Sequence, residues 1–312
     1  MKKLTTIILI IGLLFFIFGA FSLILFDYIY KAYNPRKKKK INIKNSCTEE
    51  EKEWFYNEKL KKLVKIKSYD NYILYGNIYK NLKNSPWIII IHGYCSSGVR
   101  MSHIGKQYYD KGYNVLIIEQ RAHNISEGKY ITYGYKEKYD LVSWITYIND
   151  TYKNDNPKIV LHGLSMGAAT MLETLGNTKN LPTNIVCAIE DCGYSSFPKE
   201  LLTFIQKIIK SKKISNLILY NINMLTKLIL KFSIYDIVPM TSVSNITIPT
   251  LFIHGKKDDF VPFDMVYENY NNTKCEKELL LFDSATHARC YLANKDLYWN
   301  GILNFINKYI EK

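Results

Sequence analysis

The chain has 312 residues, 47% of them hydrophobic, with only 8 prolines and 15 glycines. That excludes a disordered or fibrous protein and leaves room for one large domain with an appendage, or for two small ones. The formal net charge is +14, yet residues 1–44 carry +8 of it (Lys2, Lys3, Lys31, Arg36, Lys37, Lys38, Lys39, Lys40 and Lys44 against Asp27), so the excess sits in an N-terminal segment and argues against a nucleic-acid-binding domain.

Leu4 to Phe26 is a 23-residue stretch without a charge. It is long enough to cross a hydrocarbon core of ~30 Å at ~1.5 Å per residue. A cleaved signal peptide is the competing reading, because Lys2 and Lys3 resemble a basic leader. The apolar core of a leader is usually only ~7–15 residues long and is followed by small residues; here Asp27-Tyr28-Ile29-Tyr30 follows. The expectation is a transmembrane anchor over residues 1–30 and a basic, polar linker over 31–55. Six basic residues in 31–40 outweigh Lys2 and Lys3, which puts the remainder on the cytoplasmic face. The basic run either lies against anionic head groups or is simply solvated.

Beyond the linker, β-rich runs occur at Leu63–Ser68 and Tyr72–Tyr79. Continuous apolar runs follow at Trp87–Ile91, Asn114–Glu119, Lys158–Leu161, Ile185–Ile189, Pro249–Ile253 and Glu278–Phe282, as expected of strands buried on both faces of a parallel sheet. Helical patterns lie between them at Lys136–Tyr152, Met166–Leu175 and Leu297–Ile310. The alternation predicts an α/β domain over 56–312 with a mostly parallel central sheet flanked by helices. It breaks between Asp191 and Pro249, where helical spacing (Leu201, Ile205, Ile208; then Leu217–Phe232) predicts an inserted helical cap over about 195–245. Such a cap would lie at the carboxyl ends of the strands, where open α/β sheets bind ligands. Residues 196–236 also hold seven lysines against Glu200 and Asp236. Either the cap turns an apolar wall to the pocket and a basic outer face to a bilayer, or it is an ordinary cap with solvated lysines.

The strongest chemical signal is Gly163-Leu164-Ser165-Met166-Gly167, between an apolar run and a helical pattern. That is the strand–turn–helix context of a nucleophile elbow, where glycines leave room for a strained serine. Asp258, in His254-Gly255-Lys256-Lys257-Asp258, and His287, in Ala285-Thr286-His287-Ala288, each follow a strand-like run. The order Ser165, Asp258, His287 is the nucleophile–acid–base order of such a sheet. In it His287 takes the serine proton and Asp258 orients the imidazole. Asp259 and Asp191 are rival acids, ranked below Asp258 on spacing. An oxyanion hole needs two backbone N–H donors, and Met166 and Tyr94 are in position to supply them. The latter lies in His92-Gly93-Tyr94-Cys95, just after a strand-like run.

These motifs resemble the α/β-hydrolase superfamily, in particular its serine aminopeptidase-like and monoacylglycerol lipase-like branch and the small bacterial membrane-anchored members of it. The likeness spans about residues 63–310. It includes Glu119-Gln120-Arg121-Ala122-His123-Asn124-Ile125-Ser126-Glu127-Gly128, similar to the family loop D-x-R-G-H-G-x-S-x-G but with Glu119, Ala122 and Asn124 departing from it. The resemblance implies a serine hydrolase acting on esters, lipid-like ones among them, with peptidase or thioesterase activity as variants. A non-catalytic membrane scaffold is the reading from a different class.

No cofactor is expected, since nucleotide-binding glycine motifs are missing. No metal is expected either. His92, His162 and His254 precede glycines at strand ends and suit packing or hydrogen bonding, and His103 and His123 have no carboxylate or thiol at metal spacing. Cys47, Cys95, Cys187, Cys192, Cys275 and Cys290 are scattered without a C-x-x-C pair and read as free thiols. The expected partners are a small-molecule ester and the membrane; nothing in the sequence specifies an oligomer.

Overall fold

The computed structural model describes residues 2–31, 47–179 and 181–310; of the side chains in 2–18, it describes those of Thr5 and Thr6. Eight strands form one sheet: β1 (Lys61–Lys67), β2 (Ile73–Tyr79), β3 (Trp87–Ile91), β4 (Asn114–Ile118), β5 (Ile159–Leu164), β6 (Ile185–Asp191), β7 (Thr250–Gly255) and β8 (Lys277–Phe282). Their order is β1-β2-β4-β3-β5-β6-β7-β8. The first two pairings, β1 with β2 and β2 with β4, are antiparallel, and the rest are parallel. β3 and β4 are buried at every residue. Their unbroken apolar sequences reflect cover on both faces.

The helices are α1 (Lys2–Tyr30), α2 (Glu49–Tyr56), α3 (Ser102–Asp110), α4 (Glu137–Thr151), α5 (Met166–Asn177), α6 (Phe197–Ile208), α7 (Lys212–Leu230), α8 (Pro239–Ser242), α9 (Asp264–Asn272), α10 (Cys290–Ala293) and α11 (Lys295–Ile310). One core layer joins α2, α3 and α11 to the sheet through Trp54, Ile104, Tyr108, Ile302 and Phe305. The other joins α4, α5 and α9 through Trp144, Ile148, Leu172 and Val266. A third apolar cluster lies under α6 and α7, in the stretch expected to be a cap.

The end of the expected linker differs from its sequence reading. The last residues of the expected linker form α2. Glu51 N–H donates to the Thr48 hydroxyl and Thr48 N–H to the Glu51 carboxylate, a capping box that starts the helix. Trp54 then stacks on Tyr79 with ring centroids 4.1 Å apart, so the folded domain begins before residue 56. Most of the expected membrane-crossing stretch, Leu4–Phe26, lies outside the residues whose side chains are described. Among the described residues no single helix is long and apolar enough to cross a membrane; the apolar part of α1 so described is Gly19–Tyr30.

The end of α1 belongs to the folded domain. Phe26, Ile29 and Tyr30 are buried in the cap cluster. Ile131 N–H donates to the Tyr30 carbonyl at 2.8 Å, and Lys31 forms an antiparallel bridge with Tyr130. The cap differs from expectation on its outer side. Ile214, Leu217, Tyr220, Met224 and Leu228 recur every three or four residues of α7 and are exposed, while Ile218, Ile222 and Thr226 face inward. That outer face is apolar as well as basic.

Candidate active site

Ser165 stands between β5 and α5 with φ 56° and ψ −120°. A non-glycine residue adopts such a conformation only when its surroundings impose it. The neighbouring glycines explain how the turn closes. A Cβ on Gly167 would lie 2.1 Å from the Ile91 carbonyl oxygen, and one on Gly163 2.5 Å from that of Gly167. The turn therefore packs directly on the end of β3, and only hydrogen fits at either position.

The three residues singled out in the sequence meet at the carboxyl edge of the sheet. Ser165 Oγ lies 2.9 Å from His287 Nε2, and His287 Nδ1 lies 2.7 Å from Asp258 Oδ2. Asp258 Oδ1 accepts from the N–H groups of Phe260 and Val261 at 3.0 and 2.9 Å. Burial by itself would raise the Asp258 carboxyl. Hydrogen bonds from His254 and His287, with the positive charge those rings can carry, hold it well below the usual carboxylate range. An ionised Asp258 can only accept, so Nδ1 of His287 carries the proton and Nε2 is left to take one from the serine.

The rival acids lie elsewhere. Asp259 is exposed, and its backbone carbonyl accepts from Lys207 Nζ. Asp191 ends β6, buried, accepting from the Tyr298 hydroxyl at 2.7 Å; burial pushes its carboxyl up to about 6. Tyr94 and Met166, the expected oxyanion donors, both border the cavity at Ser165. Met166 opens α5, so its N–H has no intrahelical acceptor. Gly93 brings that loop against the serine, with a position for Cβ only 3.2 Å from Ser165 Cβ.

Three buried histidines brace the elements around the sheet edge. His92 Nε2 accepts from Gln120 N–H at 3.1 Å, His123 Nε2 from Cys95 N–H at 3.2 Å, and His162 Nδ1 is 2.9 Å from the Tyr108 hydroxyl. Burial lowers these rings to about 3, 4 and 3 respectively, so they act as neutral hydrogen-bonding groups. In the Glu119–Gly128 loop, Ala122 and Asn124 take the left-handed φ values of 59° and 49° at positions where the family pattern has glycine. The Asn124 amide donates to the Glu119 carboxylate at 2.9 Å, which ties two of the three departures together. Arg121, buried, forks to Asp140 at 2.6 Å and to Asp70 at 2.9 Å.

Cys192, Asp258 and His287 place a sulfur, a carboxylate oxygen and a ring nitrogen within 4.8 Å of one another, a spacing a metal ion could bridge. Binding there would require the Cys192 thiolate, and burial raises that thiol well above its ordinary value. The donor set does not fit a resident metal.

Three contributions had little or no sequence signal. His254 Nε2 lies 3.3 Å from Asp258 Oδ2, a second imidazole on the same carboxylate; the four-residue spacing in His254–Asp258 was its only trace. Glu200 of α6 borders the same cavity as Ser165, with Oε2 buried and unpartnered, and burial pushes it up to about 8. Tyr28 and Ile29, from the end of α1, also line that cavity. The Ile29 carbonyl accepts from the hydroxyls of Tyr133 at 2.7 Å and Tyr94 at 3.2 Å.

Ser165 lies where two cavities meet. One, of about 170 Å³, is walled by Ile29, Tyr133, Phe197, Leu201 and Phe204 among others. The second, of about 320 Å³, is more polar and is bordered by Ser96, Arg100, His103, His287 and Arg289.

A mostly parallel eight-stranded sheet, with a strained serine turn at the end of β5 and an imidazole and a carboxylate converging on it, has the architecture of the α/β-hydrolase fold class. Within that class, residues 83–227 match the family described as serine aminopeptidase, S33. A relative in Bacillus subtilis (strain 168), the uncharacterized protein YqkD, is 28% identical over 220 residues, covering 70% of each chain. The Pyrococcus furiosus esterase Pf2001 superposes with a TM-score of 0.65 at 26% identity, over 80% of this chain and 92% of that one. The acetyl xylan esterase from Paenibacillus sp. R4 shares the fold, with a TM-score of 0.62 at 17% identity, over 82% of this chain and 86% of its own.

Proposed function

We propose that the protein is a serine hydrolase that cleaves ester bonds through an acyl-enzyme on Ser165. The observation that carries this reading is the hydrogen-bonded series from Ser165 Oγ through both nitrogens of His287 to Asp258. His287 takes the serine proton as Oγ attacks the carbonyl carbon, then donates it to the departing oxygen. Asp258 holds the tautomer and stabilises the imidazolium, and the N–H groups of Tyr94 and Met166 face the developing oxyanion. Water then attacks the acyl-enzyme, releasing the acid and restoring Ser165.

The apolar cavity suits an acyl chain, which favours lipid-like esters. α1 serves as a single-pass anchor, and the positive-inside balance of residues 31–40 puts the domain on the cytoplasmic face. Likeness to an esterase at 26% identity supports ester substrates; the match to a serine aminopeptidase model favours a second reading, peptide cleavage by the same machinery.

Labelling by a fluorophosphonate probe, lost in Ser165→Ala, tests the nucleophile and separates an enzyme from a scaffold. That variant lowers kcat by up to ~10⁶. Medium-chain p-nitrophenyl esters compared with aminoacyl amides test the bond type. Clear preference for the amides rejects the ester reading.

A further inference from the structure

A helix leaves its last carbonyls without intrahelical donors, and other groups must satisfy them. At the end of α1 the folded domain does so. The Tyr30 carbonyl accepts from Ile131 N–H at 2.8 Å, and the Ile29 carbonyl accepts from two phenols, Tyr133 at 2.7 Å and Tyr94 at 3.2 Å. The Tyr94 hydroxyl also lies 3.4 Å from the Tyr28 carbonyl, so it straddles the last turn of the helix.

One of these phenols belongs to the residue whose backbone N–H is expected at the oxyanion. Tyr94 follows Gly93 in the loop leaving β3, and on the Gly93 side that loop is tight, with a position for Cβ 3.2 Å from Ser165 Cβ. On the other side Cys95 takes a left-handed φ of 48°, a conformation that a residue with a Cβ keeps only under restraint. Cys95 N–H donates to His123 Nε2 at 3.2 Å. Between these two ties, the Tyr94 ring stacks on Tyr133 with centroids 5.3 Å apart, and Tyr133 stacks on Phe197 of α6 at 4.1 Å.

We infer that the Tyr94 phenol is a positioning group for the oxyanion loop and that the last turn of α1 is what it holds on to, so that the N-terminal helix serves the reaction as well as attachment. Pinning the tip of the side chain limits rotation of the Tyr94 backbone, and with it the direction of the N–H. A donor works only where the oxyanion forms, and a displacement on the order of 1 Å costs ~10²-fold. The tie favours the transition state over the bound ester, because the carbonyl oxygen gains its charge only as Ser165 attacks. This inference rests on the acyl-enzyme reading above.

The test uses the full chain in non-ionic detergent, with p-nitrophenyl butyrate as substrate and butyl trifluoromethyl ketone as probe, whose adduct with Ser165 carries the oxyanion. Tyr94→Phe deletes the hydroxyl and keeps the ring and the backbone N–H. It is expected to lower kcat by about tenfold and to weaken ketone binding by the same factor, with KM within about twofold of wild type. Phe26 packs α1 into the cap cluster and is not among the described residues lining the cavity at Ser165. Phe26→Ala is expected to lower kcat several-fold in the wild-type chain and to add nothing in Tyr94→Phe, because both act through one tie. Thr226→Val, which removes the hydroxyl contact to Tyr30, repeats the cycle if Phe26→Ala does not fold. If Tyr94→Phe does not fold, Thr226→Val decides alone, by a weakened ketone at unchanged KM.

Wild-type kcat and ketone affinity in Tyr94→Phe overturn the inference and leave the hydrolase reading standing. So does a loss confined to KM, which would make Tyr94 a wall of the cavity. Equal losses from Phe26→Ala in both backgrounds also overturn it, since α1 would then only support the cap. A wild type that neither labels with fluorophosphonate nor hydrolyses the ester overturns the hydrolase reading, and the positioning role with it.

Discussion

The hydroxyls of Tyr30, in the last turn of α1, and Thr226, on the inner side of cap helix α7, are hydrogen-bonded at 3.0 Å. Tyr30 is fully buried there, beside Phe26 and Ile29. The N-terminal helix is thereby fastened to the cap and, through Tyr28 and Ile29, to the cavity at Ser165. An element that reads in the sequence as an anchor also shapes the site.

A fragment beginning at residue 32 loses Phe26, Ile29 and Tyr30 from the cap cluster, whereas one beginning at residue 19 keeps them. Each such burial contributes about 1.5–3 kcal/mol. The shorter fragment should therefore melt lower by on the order of 10 °C in the same detergent, measured by calorimetry. Equal midpoints would show that the end of α1 is not part of the cooperative unit.

Chain-length preference should respond to the same helix. Ile29→Trp fills part of a cavity of about 170 Å³. Turnover of decanoyl relative to butyryl p-nitrophenyl esters should fall by about tenfold. Tyr28→Ala, at an exposed position that tolerates truncation, should shift the optimum toward longer chains. If neither variant moves the ratio, the acyl chain lies elsewhere.

Asp258→Asn keeps an oxygen for the N–H groups of Phe260 and Val261, so the loop should retain its shape. It removes the charge that fixes the His287 tautomer. The expected loss in kcat is about 10⁴, with the melting temperature little changed. A loss of only a few-fold would assign the orienting role to another acid, with Asp191 the first to examine.

Several buried carboxyls, Asp140, Glu173, Glu190, Asp191 and Glu200, are raised and set a pH trend in stability. Asp191 is raised to about 6 and Glu200 to about 8, each chiefly by burial. A carboxyl raised in the folded state binds its proton more tightly there than in the unfolded chain. Its stabilising effect is present in full below the unfolded value, near 4, and is lost as pH rises through the folded value. Asp258 has the opposite sign: depressed in the fold, it stabilises above its unfolded value, and that contribution disappears only in strong acid. Stability should therefore decline between about pH 5 and pH 8. Glu200→Gln should remove its share of the upper part of the decline, leaving the variant more stable than wild type at pH 9 by on the order of a few kcal/mol. Urea titrations at pH 5, 7 and 9 measure it; parallel curves for the two proteins would exclude Glu200 as the source.

Much of this was legible in the chain because it is local. β3 and β5 announce themselves as unbroken apolar runs, and a glycine-flanked serine between strand and helix allows few backbones. The loops that hold Asp258 and His287 follow strand ends within a few residues, so the sheet order delivers them to one edge. α2 was missed because an eight-residue helix with four glutamates has too few turns to show a periodicity, and its packing on Tyr79 is a tertiary contact.

Local sequence by itself determined the strand–turn–helix at Ser165 and the segments that carry Asp258 and His287, since turn geometry and strand burial are written in neighbouring residues. Only the tertiary structure decided that His254 shares Asp258, that Glu200 Oε2 has no hydrogen-bond partner among the described residues, and that α1 closes one wall of the cavity. Those depend on which surfaces meet after the sheet has formed. Side chains far apart in the chain, such as Ile29 and Ser165, leave no periodic trace of their contact, because folding free energy rewards the burial and not the sequence distance.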